Sequence, residues 1–91
     1  MFFKLYSVYD SKAGAYITPF FLVNKGVALR SFMAACNDPA SDFARFPGDY
    51  TLFELGDWEP ETGKIKMYDA PLNLGTALQF KEIDSAVRVE E

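Results

Sequence analysis

The six residues EPETGK, Glu59 to Lys64, commit the middle of the chain to an antiparallel hairpin. Pro60 has the fixed backbone angle that a type I turn wants, and Gly63 suits the left-handed position of a closing bulge. Before the turn, YTLFELGDW (Tyr50 to Trp58) alternates well enough to be a strand. After it, KIKMY (Lys64 to Tyr68) alternates basic and apolar residues. This predicts a half-exposed return strand with Ile65 and Met67 facing inward. Ala70-Pro71 is expected to break that strand, because proline cannot donate to a ladder.

The N-terminal part reads as a second hairpin. FFKLYSVY (Phe2 to Tyr9) is aromatic and β-branched, with apolar residues at both parities, as in a central strand covered on both sides. Asp10, Ser11 and Gly14 form the turn. YITPFFLV (Tyr16 to Val23) is the partner strand, and Pro19 makes it an edge or breaks its pairing. Asn24 is positioned to cap a helix over about Lys25 to Cys36. In that helix Ala28, Leu29, Phe32, Ala35 and Cys36 make one apolar stripe, and Asn37-Asp38-Pro39 ends it. DPASDFARFPGD is a loop with room for one helical turn, which Phe43 and Phe46 could pin. Asn73 is the expected cap of a short helix over LGTALQF. The order is therefore β-β-α-β-β-α. It predicts a small α+β domain, a mainly antiparallel sheet with one helix packed on it, over residues 1–81, and an acidic, flexible tail over residues 82–91.

What the chain lacks excludes several chemistries. It has no histidine, and Cys36 is its single cysteine. Histidine-based general bases, Ser-His-Asp chemistry, intrachain disulfides and multi-cysteine metal sites are out. The glycines form no phosphate-cradling pattern. Glu54, Asp57, Glu59 and Glu61 lack calcium-loop spacing and read as a solvated turn. No enzyme activity, cofactor or metal is expected. No apolar run approaches the roughly 18 residues that would span a membrane, and no signal peptide is visible. A reducing cytoplasm follows, with Cys36 free and buried on the helix stripe.

Charge is distributed unevenly. The net charge of −4 divides into +3 over residues 1–37, −6 over 38–63, +2 over 64–81 and −3 over 82–91. The mean hides a basic N-terminal portion.

Several consecutive stretches carry a resemblance: LYSVYDSKAGAYITPFF, KGVALRSFMAACNDP, FARFPGDYTLFELGDWEPETGK and LGTALQF. Over about residues 3–80 the chain resembles the small non-structural protein of the gokushovirus branch of the Microviridae, bacteriophages with single-stranded DNA. The resemblance implies a DNA-binding or replication-accessory role in the bacterial host cytoplasm, near the switch to single-strand synthesis and packaging. It carries no set of functional residues with it.

The residues themselves suggest where single-stranded DNA would lie. Non-specific single-strand binders pair a basic groove with rings on which bases stack, worth about 1–3 kcal/mol per base. Lys4, Lys12, Lys25 and Arg30 offer charge, and Tyr6, Tyr9, Tyr16 and Phe20 offer rings. Lys64 and Lys66 could track a backbone. The competing reading gives the rings to a small core and the two strand lysines to edge protection. The alternative function is an acidic interaction module, or DNA mimic, docking on a viral replication or capsid protein or a host replication factor. A homodimer is compatible with either. Convergence of the cations beside exposed tyrosines would favour DNA, and their scatter would favour the module.

Overall fold

The first strand lies in the middle of the sheet. In the computed structural model, which describes residues 2–81, β1 (Phe3–Asp10) pairs antiparallel with β4 (Tyr50–Glu59) along one side. Along the other it pairs with two short strands, β2 (Ala15–Tyr16) and β3 (Phe20–Leu22). β5 (Lys64–Thr76) pairs with β4 and closes the far edge, giving a five-stranded antiparallel sheet. Leu5, Tyr6, Ser7 and Val8 are consecutive and all buried, as the mixed parity of the strand predicts.

The stretch expected as one strand over Tyr16 to Val23 is divided in two. Tyr16 pairs with Tyr9 and Phe20 with Tyr6, so Ile17, Thr18 and Pro19 lie opposite only Ser7 and Val8. Pro19 has no amide to give the ladder, and the extra residue is accommodated as a bulge. Ser7 fastens this bulge by donating its hydroxyl to the Ile17 carbonyl at 2.7 Å.

Helix α1 (Lys25–Cys36) has the bounds that the sequence gives it. The Asn24 side chain accepts the Val27 amide at 3.0 Å, a cap typically worth about 1 kcal/mol. The inner face of α1 sets Ala28, Phe32 and Cys36 against Tyr6, Val8 and Leu52 of the sheet. One turn, α2 (Asp42–Arg45), and a 3-10 turn (Pro47–Asp49) follow. Phe43 packs on Phe32 and Tyr50, whereas Phe46 is exposed. Residues 77–81 are helical (α3) and place Ala77 and Phe80 in the same core. Val8, Phe32, Leu52 and Phe80 each contribute about 1.5–3 kcal/mol by leaving water.

Three expectations for the C-terminal half change. Ala70-Pro71 does not end β5. It interrupts the ladder instead: Gly56 pairs with Met67 and Glu54 with Leu72, so residues 68–71 bow out of register and Pro71 needs no partner. Ile65 and Met67 do not face inward, because the helices do not extend over their side of the sheet; they are 52% and 54% exposed. Asn73 does not cap the last helix. Thr76 does, accepting the Gln79 amide while the Gln79 side chain accepts the Thr76 amide, a reciprocal capping box. Asn73 instead accepts the Gly75 amide. Among the described residues, no helix is long and apolar enough to cross a membrane. The tail expected over residues 82–91 lies outside the described residues.

Candidate functional site

Lys4 is the first candidate cation along the chain, and it is already engaged. Its Nζ lies 2.7 Å from Asp57 Oδ1 on the neighbouring strand, and it donates to the Tyr68 hydroxyl at 3.4 Å. Tyr68 swings back from the bowed-out segment of β5. Its hydroxyl donates to Glu54 Oε2 at 2.6 Å and lies 3.2 Å from Asp57 Oδ1. Glu54 is only 6% exposed. The Lys4 ammonium holds the Asp57 carboxyl below its usual range, and the same hydrogen bond raises Lys4. Burial, followed by the bond to Glu54, pushes the Tyr68 phenol up to about 12.

The tyrosines divide between the two faces of the sheet. Tyr6 is fully buried on the helix side and stacks on Phe20, so its assignment as a stacking surface is corrected: it belongs to the core. Burial and the nearby Glu54 push its phenol up to about 12. Phe20 is likewise packed on the core. Tyr9 and Tyr16 lie on the opposite face, with ring centroids 5.1 Å apart, and Tyr16 is 44% exposed.

That opposite face carries no helix among the described residues. Side chains directly across a ladder share a face, and this rule assembles two aromatic groups there. Phe3 and Phe21 both meet Trp58, at 5.5 and 5.4 Å between ring centroids. Tyr16 meets Tyr9 on one side and Phe53 on the other. The first group crosses the row that pairs Leu5 with Phe21, and the second crosses the row with Ser7 opposite Phe53. Leu5 and Ser7 are buried on this side. Among the described residues, rings from neighbouring strands take the place of a second helical layer. Ile65 and Met67 extend the first group toward the β5 edge, opposite Trp58 and Gly56.

The ladder positions on this face, from Phe3, Leu5, Ser7 and Tyr9 across to Ile65, Met67 and Asn73, include no charged residue. The candidate cations lie elsewhere. Lys4 and Lys66 flank Asp57 on the helix side, and Lys64 stands opposite Glu59. Phe2, Asp57, Glu59, Lys64 and Lys66 line a groove of about 190 Å³ in which acids offset lysines. Lys25 and Arg30 are exposed on α1, and Lys12 is exposed in the β1–β2 turn. The structure therefore separates the strand lysines from the exposed rings and scatters the other cations. The acidic group expected in the turn also divides: Glu54 and Asp57 join the Tyr68 network on the sheet, and Glu59 and Glu61 lie at the turn.

The sequence profile of the family described as Phage ORF5 protein matches residues 3–80, the whole span from β1 into α3. The chain belongs to the phage ORF5 protein family. No curated protein and no solved structure matches it. In this phage ORF5 chain, sequence reasoning overlooked Phe3, Phe21, Phe53 and Trp58 as one surface. Their signal was parity: once Tyr9 is placed, Phe3 follows on its face, and the hairpin registers bring the others alongside.

Proposed function

We propose that this phage ORF5 protein acts by stoichiometric binding as a protein-interaction module in viral DNA replication or packaging, with the helix-free aromatic face as its contact surface. The observation that carries the reading is the absence of charged residues from the paired positions of that face among the described residues. Interface cores are depleted of charged residues and enriched in aromatic residues and methionine. This face has both properties, together with Ile65 and Met67, each more than half exposed. A surface that tracks phosphates needs uncompensated cations. Here Lys4, Lys64 and Lys66 each face a carboxylate across a strand pair. The place in viral DNA metabolism is supported by membership of a phage family and by the resemblance to microvirus non-structural proteins.

A capture experiment from phage-infected cells tests the reading. The wild-type chain is expected to retain a phage-encoded protein that Ile65→Lys loses, both folding equally well. Retention indifferent to that substitution would count against the face.

One observation favours a second reading, direct binding of single-stranded DNA. Tyr16 and Phe21 present exposed rings on an open sheet face, an arrangement on which unpaired bases can stack. Fluorescence anisotropy with a thymidine oligonucleotide at low salt separates the two. Binding that disappears in Tyr16→Ala and Phe21→Ala would give the face to DNA.

A further inference from the structure

We infer that the occupant of the helix-free face is a second copy of this chain, packed face to face about a two-fold axis. The inference rests on reading that face as a protein contact, and it names the partner.

Charge is the first argument. Each copy carries a net charge of −4, so two copies repel, and least where they meet on an uncharged patch. A two-fold contact places the same patch on both sides, and any charge near the axis meets its own image. The face bearing the Phe3, Phe21 and Trp58 rings avoids that cost, because its ladder positions hold no charged residue. The helix side cannot, with Lys4, Asp57, Glu59, Lys64 and Lys66 all upon it.

The edges supply the second argument. Sheets also associate by joining edge strands, and both edges here are obstructed. β2 and β3 have two and three residues and are separated by the Pro19 bulge. β5 carries Lys64 and Lys66 and bows out of register through Pro71. Lysine, proline and bulges are the devices that keep edge strands from pairing. Association is therefore directed to the face.

Area is the third. Four strands' width by the length of β4 is about 19 Å by about 30 Å, on the order of 600 Å² in projection. The protruding rings raise the accessible area above that projection, toward the roughly 800 Å² per partner of a stable interface. Two sheets packed this way would sit about 10 Å apart with helices outermost.

Light scattering on the full chain tests the proposal. The expected mass is twice 10.2 kDa, and the dimer tightens as salt rises, because screening removes the repulsion of like-charged copies. Met67→Lys and Ile65→Lys, both at exposed positions, are expected to halve the mass while leaving the thermal melt of the monomer cooperative. Val27→Lys, on exposed α1 surface on the other side of the sheet, is expected to keep the doubled mass. A single-chain mass for the wild type up to about 100 µM would overturn the inference. So would a doubled mass that survives both face substitutions. A monomer that nevertheless loses a captured phage protein on Ile65→Lys would remove the second copy and keep the reading of the face as a protein contact.

Discussion

Lys4 and Asp57 stand on adjacent central strands with Nζ and Oδ1 2.7 Å apart, and Tyr68 ties the pair to the buried Glu54. A cation at the basic end of the chain is thereby committed to internal structure. Asp57 is held below the ordinary aspartate value of 3.8, so its contribution to stability is complete above that value and is lost as pH falls through the lowered one. Lys4 is raised, so its contribution is complete below 10.5 and is lost only as pH rises through the raised value. Both groups are part-exposed, which keeps the pair at about 0.5–1 kcal/mol. Asp57→Asn is expected to lose about that much at neutral pH and to flatten the acid limb of a urea-unfolding pH profile.

Tyr68→Phe removes the donor that satisfies Glu54. A buried acceptor left without its partner costs about 1–3 kcal/mol. Chemical denaturation of the single variant should show a loss in that range. In Tyr68→Phe with Glu54→Leu, no buried carboxylate remains to be stranded, and the double variant should lose less than the sum of the two single losses.

At Gly56 the backbone of β5 lies where a side chain on β4 would stand. A Cβ there would stand 2.3 Å from the Lys66 carbonyl oxygen, which is backbone and cannot swing away. Gly56→Ala should cost about 2–3 kcal/mol and loosen amide protection along β5 in hydrogen exchange. Gly48→Ala is the control: nothing lies within 4 Å of its Cβ, and its effect should stay within about 0.5 kcal/mol.

Thr76→Ala should cost about 1 kcal/mol, since the hydroxyl that caps α3 is lost. Asn73→Ala should cost less in the thermal melt, because its side chain orders a turn at Gly75 rather than a helix end.

Cys36 is fully buried, and burial pushes its thiol up to about 11. A disulfide reagent at pH 8 should label the native chain no faster than the chain unfolds. Rapid labelling in the folded state would contradict the burial.

The elements legible in the sequence were those with a local cause. The cap at Asn24, the stripe at Ala28, Phe32 and Cys36, and the turn at Pro60–Gly63 each have their signal within a few residues. What escaped depends on strands far apart in the chain. Nothing near Tyr68 says that it reaches back to Glu54, because that contact exists only after β5 has bowed out of register. Ile65 and Met67 alternate as an inward row should, yet which face is inward was set by α1 and α3, which occupy the other side. Tyr6 and Tyr9 look alike in sequence, and the helix layer alone decides that one is core and the other surface.

The placement of β1 has a consequence for biosynthesis. The first strand of the sheet to be made cannot complete its pairing until β4 follows, since Phe3 pairs with Trp58 and Asp10 with Tyr50. Until β4 leaves the ribosome, β1 has only the broken hairpin of β2 and β3 beside it. Contacts this distant in sequence close slowly. At about 5–20 residues per second, β1 waits seconds for its partner. During that interval its aromatic side chains are open to chaperones and to other nascent copies.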